Sequence, residues 1–246
     1  LALPLQMGFP TAIDGKIDKI VDNLAVIKPT FMGAAPRIFE KAYARIAATV
    51  AAETGVKRQL MDWALDVGKQ VMELRAQGQA PGALLGIQHA VADKLVLSKI
   101  RERFGGRVGF FISGSAALNP EIARWFGSVG LIILEGYGLT ETSAATCVNR
   151  PSLGGYNYGT VGWAIPTTDV KLAADGEILV KGPGVMRGYR NRPDATAEVF
   201  DEDGYFRTGD IGEIDANGFV KITDRKKDLF KTSGGKYIAP SLIEAA

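Results

Sequence analysis

The sequence predicts an α/β fold in which a parallel sheet is followed by antiparallel β structure. From Pro36 to about Phe104, apolar residues recur at helical spacing. The segments "GRVGFFISG", "NPEIARWFGSVG" and "LIILEGYG" then have the patterns of a strand, a helix and a second strand. After about Tyr158 the sequence changes to short alternating runs separated by turn dipeptides, which are typical of β-hairpins.

The helical zone is amphipathic, because its apolar residues return at the i, i+3 and i+4 spacing of one helix face. Gly55 and the segment "GQAPGALLG" interrupt it, so we expect several helices rather than one. These apolar positions are Ile38, Phe39, Ala42, Tyr43, Ile46, Leu60, Trp63, Ala64, Val67, Val71, Leu74, Val91, Leu95 and Ile100.

The strand, helix and strand predict a βαβ unit with a right-handed crossover. Asn119 and Pro120 are start signals for its helix. The apolar run Leu131–Leu134 is typical of a strand buried on both faces. Polar residues follow at the carboxyl end of that strand, where open α/β sheets bind ligands, and Gly136 and Gly138 would let the backbone approach a ligand closely.

Two hairpins are predicted after the βαβ unit. In "DVKLAADGEILVKG" the turn lies at Asp175 and Gly176, and in "IGEIDANGFVKITD" it lies at Asn217 and Gly218. A boundary is expected near Asp224, where the sequence becomes strongly charged.

Composition excludes several classes of function. The chain has 246 residues, enough for one large domain or two smaller ones, and 46% of them are hydrophobic, so it can build a core. Lys plus Arg number 29 against 27 for Asp plus Glu, and this balance does not suggest a nucleic-acid partner. The single cysteine, Cys147, excludes an internal disulfide framework and a cysteine-cluster metal site. We therefore expect a reducing compartment, with the cytoplasm as the default.

Both ends of the sequence suggest part of a longer protein. The chain begins at Leu1 rather than Met, and its opening "LALPLQMGFPTAI" lacks the pattern of a signal or membrane segment. The end, "SLIEAA", follows the helix-start signals Pro240 and Ser241 but is too short to complete a helix.

Two glycine-rich motifs and one histidine are rejected as sites. "GYGLTE" begins like a dinucleotide fingerprint but has Glu141 in place of the third glycine. "TSGGKY" imitates a P-loop, yet Tyr237 replaces the required hydroxyl residue. The only histidine, His89, lies in the helical zone away from any nucleophile motif.

Three polar clusters remain: Thr140 with Glu141, Asp210 at an expected turn, and Arg225. A hydroxyl beside glycine amides suits a phosphoryl oxygen, and a neighbouring carboxylate suits Mg²⁺. An isolated aspartate suits ribose hydroxyls, and an arginine suits ribose or phosphate oxygens. Together they describe a nucleotide with its metal. Each also has a structural alternative: Asp210 as an Asx-turn residue, Glu141 as a helix cap, and Arg225 as a solvated charge.

The order of these clusters carries a family resemblance. "EGYGLTET", "GEILVKGPGVMRGYRNRPDAT", "GYFRTGDIG" and "GFVKITDRKKDLFKTSGGKYIAP" resemble the successive core motifs of the AMP-forming adenylate synthetases. "APRIFEKAYARI" and "VADKLVLSKIRERFGGRVGFFISGSAAL" resemble the long-chain fatty acyl-CoA synthetase branch of that superfamily, whose members carry a helical insertion.

The resemblance implies a domain order: a helical part with the insertion (1–106), a βαβ part with the adenine and α-phosphate motif (107–157), a β-barrel-like subdomain (158–223), and the start of a small C-terminal domain (224–246). It implies a two-step reaction, in which a long-chain fatty acid and MgATP give an acyl-adenylate and coenzyme A then takes the acyl group. A carrier protein as acceptor, or a noncatalytic nucleotide-binding homologue, remains an alternative. Peripheral membrane association is a further expectation.

The resemblance also assigns site residues. Tyr137 would supply a flat face for adenine, Thr140 would bond the α-phosphate, and Glu141 would hold Mg²⁺. Asp210 would take the ribose hydroxyls and Arg225 would reinforce them. The remaining residues bordering adenine would be Gly114, Ser115, Ala116 and Gly136.

Asp224 matches the hinge of the family, and the "TSGGK" turn would line the channel for coenzyme A, with Lys231 and Lys236 near its phosphates. The family's loop for the β- and γ-phosphates and its C-terminal lysine have no match in the sequence. We therefore expect the 246-residue chain to be inactive by itself.

Overall fold

The computed structural model describes residues 6–13 and 19–226, together with the backbone of residues 230–231 and 237–238. The chain divides into two compact units. The first contains residues 1–75, 79–112 and 121–133, and the second contains residues 76–78, 113–120 and 134–246.

The first unit is mainly helical, as the spacing of its apolar residues predicts. Pro36 begins the helix Pro36–Ala52, at a position where a missing backbone N–H costs nothing. The breaks fall after Ala52 and after Ala76, beside the predicted interruptions. A π-helical turn, Asp93–Leu97, which the sequence pattern did not predict, joins the helices Ala83–Ala92 and Ser98–Glu102. The helices are α1 (Ile20–Ile27), α2 (Pro36–Ala52), α3 (Gly55–Ala76), α4 (Ala83–Ala92), α5 (Ser98–Glu102) and α6 (Pro120–Ser128).

Aromatic side chains form the core of the first unit. Phe126 on α6 and Phe111 contact each other, and each also contacts Phe39 on α2 and Phe104, with edge-to-face ring centroids 5.3 to 6.2 Å apart. This geometry is favourable for aromatic pairs beyond the area they bury. The strands of this unit are β1 (Phe31–Ala34), its neighbour β2 (Phe110–Ser113), and the first residues of β3 (Ile132–Tyr137).

The second unit contains most of the β structure. The end of β3, at Gly136 and Tyr137, pairs antiparallel with β4 (Cys147–Val148), and β4 pairs with β5 (Trp163–Ala164). A four-stranded antiparallel sheet has the order β6-β7-β8-β9. Its strands are β6 (Asp169–Leu172), β7 (Glu177–Lys181), β8 (Phe206–Ile214) and β9 (Val220–Arg225). A short helix, α7 (Pro193–Glu198), precedes β8, and β10 (Phe230–Lys231) pairs with β11 (Tyr237–Ile238).

Both predicted hairpins are confirmed. The turn at Asp175 and Gly176 joins β6 to β7, and the turn at Asn217 and Gly218 joins β8 to β9. The α/β class, with a parallel-containing sheet and a curled antiparallel sheet, is also confirmed. Within the described residues, no helix combines the length and the apolar character needed to span a bilayer.

Candidate nucleotide-binding site

All the site residues that the sequence predicts belong to the second unit. They come from the loop after β2, from β3 and the loop that follows it, and from the paired strands β8 and β9.

Asp210 lies inside β8, and the expectation that it occupies a turn is wrong. Its side chain is buried, with the residue only 3% exposed. The hydroxyl of Tyr137 donates a hydrogen bond of 2.6 Å to Oδ2 of Asp210, and Nε of Arg225 lies 3.0 Å from Oδ1. A buried carboxylate needs such partners, because its desolvation would otherwise be very costly.

The pairing of β8 with β9 explains the contact between Asp210 and Arg225. These residues are directly opposite each other in the antiparallel register. The Arg225 side chain is 64% exposed, so its guanidinium reaches the carboxylate from the solvent side. The alternative of Arg225 as a purely solvated charge is therefore wrong. Its predicted role toward ribose stays a prediction.

Tyr137 ends β3 and is buried in the core of the second unit, with 9% of the residue exposed. It belongs to the same buried cluster as Cys147, Ile178, Val180 and Val220. Burial, followed by the hydrogen bond to Asp210, raises the pKa of Tyr137, so the hydroxyl remains a donor at neutral pH. The proposed adenine-facing role of this ring stays a prediction.

The loop after β3 is tightly constructed around Gly138. A Cβ atom at Gly138 would lie 1.4 Å from the carbonyl oxygen of Ala144, so no other residue fits without moving the backbone. Thr142 accepts a hydrogen bond from the amide of Leu139 at 2.9 Å and another from the hydroxyl of Thr146 at 2.8 Å. Gly138 therefore allows the loop to pack closely against itself. The sequence pattern had suggested only that this glycine lets the backbone approach a ligand.

This loop presents Thr140 and Glu141 in a short 3₁₀-helix, Thr140–Thr142. Thr140 is exposed and Glu141 is half-buried. The hydroxyl of Tyr189 donates to Oε1 of Glu141 at 3.0 Å, and the amide of Met186 donates to the Glu141 carbonyl oxygen at 2.7 Å. Both contacts fix the position of Glu141.

Glu141 offers one carboxylate to a magnesium ion at this loop. Over the described residues, no group of three or more His, Cys, Asp and Glu side chains could hold a metal by itself. Mg²⁺ is commonly held by one or two carboxylates together with substrate phosphates. A single carboxylate beside the exposed Thr140 hydroxyl fits an ion that arrives with a nucleotide.

The loop after β2 approaches β3 at Gly114. A Cβ atom on Gly114 would lie 3.5 Å from the carbonyl oxygen of Gly136, an ordinary contact distance, so these two predicted segments are adjacent. Ser115 and Ala116 are exposed, and Ser115 has a φ of 72°. The left-handed backbone at a serine is sparsely populated and often marks a functional turn.

Sequence reasoning missed two side chains beside the predicted ones. Tyr189 contacts Glu141, and only its place in the motif "RGYRNR" could have signalled it. Glu135 is buried next to Gly136 and accepts hydrogen bonds from the backbone amides of Leu118 and Gly159. Burial raises the pKa of Glu135, and these two bonds oppose that shift.

Asp224, the predicted hinge residue, is partly buried near the end of β9. Its Oδ1 accepts a bond of 2.7 Å from the amide of Arg225, while its buried Oδ2 has no partner within the described part of the chain. Lys226 follows and lies 2.7 Å from Asp175 and 2.9 Å from Glu177. The hinge stays a prediction, and the "TSGGK" turn with the side chains of Lys231 and Lys236 lies outside the described residues.

Comparisons with known proteins assign this α/β chain to a family. A family model described as "AMP-binding enzyme" matches residues 3–190. The chain therefore belongs to the AMP-binding enzyme family. The match ends before Asp210 and Arg225.

Curated relatives extend over nearly the whole chain. FadD11 of Mycobacterium tuberculosis is 42% identical over 98% of this chain and 43% of its own length. The long-chain-fatty-acid–CoA ligase FadD15 of the same species is 40% identical over 93% of this chain and 37% of its own length. The human long-chain-fatty-acid–CoA ligase 1 is 36% identical over 97% of this chain and 34% of its own length. The chain thus spans less than half of each of these relatives.

Solved structures share the fold. ATP-bound MatB from Rhodopseudomonas palustris superposes with a TM-score of 0.60 at 27% identity, covering 96% of this chain and 38% of that protein. A malonyl-CoA ligase complex with methylmalonyl-CoA and AMP gives a TM-score of 0.53 at 30% identity, covering 94% of this chain and 41% of that protein.

Proposed function

We propose that the protein to which this chain belongs is an AMP-forming acyl-CoA synthetase that activates a long-chain fatty acid with ATP and transfers it to coenzyme A. The observation that carries the proposal is similarity across more than nine-tenths of the chain to ligases named for long-chain fatty acids in Mycobacterium tuberculosis and Homo sapiens. Because the chain spans less than half of those proteins, the activity is assigned to the whole protein rather than to these 246 residues.

The proposal assigns a role in nucleotide binding to each of these residues of the second unit. Asp210 accepts hydrogen bonds from the ribose hydroxyls, since its carboxylate has more lone-pair sites than Tyr137 and Arg225 occupy. Arg225 orients that carboxylate through its contact with Oδ1. Gly114, Ser115, Ala116, Gly136 and Tyr137 border the adenine. The hydroxyl of Thr140 binds the α-phosphate, where negative charge grows as the acyl carboxylate attacks.

Glu141 would hold Mg²⁺, and Tyr189 would orient the carboxylate through its hydrogen bond. A bound Mg²⁺ would neutralise the charge of the departing pyrophosphate. Asp224 would be the hinge at which a C-terminal domain turns between the two half-reactions. The isolated chain is expected to be inactive, since each missing electrostatic contact costs on the order of 10² to 10³ in rate.

The test uses the full-length protein. ATP–pyrophosphate exchange should occur with long-chain acids in a panel of carboxylic acids, and thioester should form with coenzyme A but not with a carrier protein. Asp210→Ala should weaken ATP binding by a factor of ten or more, because a hydrogen bond to a charged group contributes roughly 1.5 to 3 kcal/mol. Fatty-acid affinity should be nearly unchanged.

Asp203→Ala is the matched control, because Asp203 is an exposed carboxylate 3.3 Å from Lys171. If Asp210→Ala weakened the binding of ATP and of fatty acid equally, Asp210 would have a purely structural role. Exchange without thioester formation on either acceptor would contradict the transferase half of the proposal.

A further inference from the structure

We propose that a groove in the first unit binds an amphiphilic anion, that is, a single aliphatic chain with a negatively charged head. The groove lies among α2, α3, the π-helical turn and α5 and has a volume of about 300 Å³. This volume is at the lower end of the range for small-molecule sites. None of its lining residues is among those assigned to the nucleotide, and the inference does not depend on the proposed catalytic activity.

The floor and walls of the groove are apolar. Four buried side chains form the floor: Ile46, Val50, Val96 and Ile100. Leu60 and Met61 of α3 also line the groove. Burying an aliphatic chain against such a surface contributes about 0.8 kcal/mol for each methylene group removed from water.

The rim of the groove is cationic. Lys57, Lys99 and Arg103 line it together with one carboxylate, Glu53. Glu53 already lies 3.7 Å from Lys57, whereas Lys99 and Arg103 are exposed and have no ion-pair partner among the described residues. Two uncommitted cations beside an apolar floor are complementary to a molecule with an anionic head and an apolar tail.

The π-helical turn shapes one side of the groove. It places Val96 in the floor and leaves Leu95 at the wall with 43% of the residue exposed. Single π-helical turns are rare and frequently occur at functional sites. An aliphatic ligand in the groove would cover the exposed Leu95 side chain.

A photoreactive palmitate, with a diazirine at the end of its chain, tests the proposal on the full-length protein. After irradiation, mass spectrometry of peptides should find adducts within residues 46–61 and 95–103. Because the readout is the position of the adduct, labelling elsewhere by substrate does not interfere. Unlabelled palmitate or palmitoyl-CoA should compete with the probe for this groove, and hexadecanol, which has no charge, should not. The stronger competitor of the two anions identifies the head group that the groove prefers.

Two variants locate the contacts. The double variant Lys99→Glu with Arg103→Glu should reduce labelling of these peptides about fivefold, since two partly exposed ion pairs contribute a factor of this order. Val50→Trp should abolish it by filling the floor. The charge-matched control, Lys69→Glu with Lys94→Glu, changes exposed lysines that do not line the groove and should label normally.

Absence of adducts from these peptides would overturn the proposal. So would equal labelling of the Lys99 and Arg103 variant, or equal competition by hexadecanol, which would show a merely apolar surface. A concentration-dependent dimer that Val50→Trp disrupts, without labelling, would assign the groove to a second copy of the chain instead. Acyl-CoA synthesis is measured separately, so loss of the catalytic proposal and loss of this one are distinguishable.

Discussion

Replacing Tyr137 with Phe removes one hydroxyl from the core of the second unit and keeps the ring that packs there. The hydroxyl donates its hydrogen bond of 2.6 Å to Asp210, a carboxylate that is only 3% exposed. In Tyr137→Phe, Oδ2 of Asp210 would lose this partner. No cavity forms, because the aromatic ring stays in its cluster with Cys147, Ile178 and Val180.

The expected magnitude follows from the burial and charge of Asp210. A hydrogen bond to a charged group contributes about 1.5 to 3 kcal/mol, and the buried acceptor is left without it. Arg225 keeps its contact with Oδ1, which offsets part of the loss. We expect a decrease of about 2 kcal/mol in the free energy of unfolding. At about 2 to 4 °C for each kcal/mol in a domain of this size, the melting temperature falls by roughly 4 to 8 °C.

Thermal and urea denaturation of wild type and variant, followed by circular dichroism, measure the change. Tyr205→Phe is the control, because Tyr205 also donates to an aspartate, Asp169, but this pair is exposed to solvent. It should shift the melting temperature much less. A Tyr137→Phe variant that loses no more stability than Tyr205→Phe would refute the argument that the Tyr137–Asp210 bond supports this core.

Three other outcomes are expected. Cys147 should react with thiol reagents only after unfolding, because it is fully buried and burial raises its pKa to about 12; rapid labelling of the native chain would contradict the packing of β4. Gly138→Ala should distort the loop that carries Thr140 and Glu141 and weaken ATP binding in the full-length protein, whereas Gly86→Ala, with open space around it, should not. Glu135→Gln should gain stability relative to wild type as pH rises above 4.5, because a carboxyl whose pKa is raised in the folded state loses its stabilising contribution as pH rises through that pKa. Urea titrations at several pH values measure the difference in the free energy of unfolding. A difference that stays constant with pH would show that folding does not raise the pKa of Glu135.

The sequence predicted those parts of the fold that depend on neighbouring residues. Helical spacing placed α2 to α5, since amphipathic periodicity is a local signal. Asp175 with Gly176 and Asn217 with Gly218 placed the hairpins, because these dipeptides favour tight turns between strands. The π-helical turn at Asp93–Leu97 was not predictable, because its residues continue the apolar pattern of the helices around it.

Contacts between distant residues were beyond the sequence. Asp210 and Arg225 were expected near the same nucleotide, but their direct pairing depends on the register of β8 against β9 and on the irregularity between Ile211 and Gly212. The burial of Tyr137 depends on packing against side chains of β7 and β9, which no local pattern around Tyr137 reveals. The partnership of Tyr189 with Glu141 joins residues 48 positions apart.

The double use of Asp210 determines how its mutants must be interpreted. The carboxylate supports the core through Tyr137, and the proposed function also gives it the ribose, so Asp210→Ala removes both interactions at once. A fall in ATP affinity in that variant could therefore follow from a loosened core alone. Tyr137→Phe separates the two causes, because it removes the core interaction and leaves the carboxylate with its remaining lone pairs. If Asp210 binds ribose, Tyr137→Phe should lose stability yet keep most of its ATP affinity, while Asp210→Ala loses both. If the two variants lose ATP affinity in parallel with their stability, the nucleotide responds to the packing of the second unit, and Asp210 is a positioning residue rather than a ligand of the ribose.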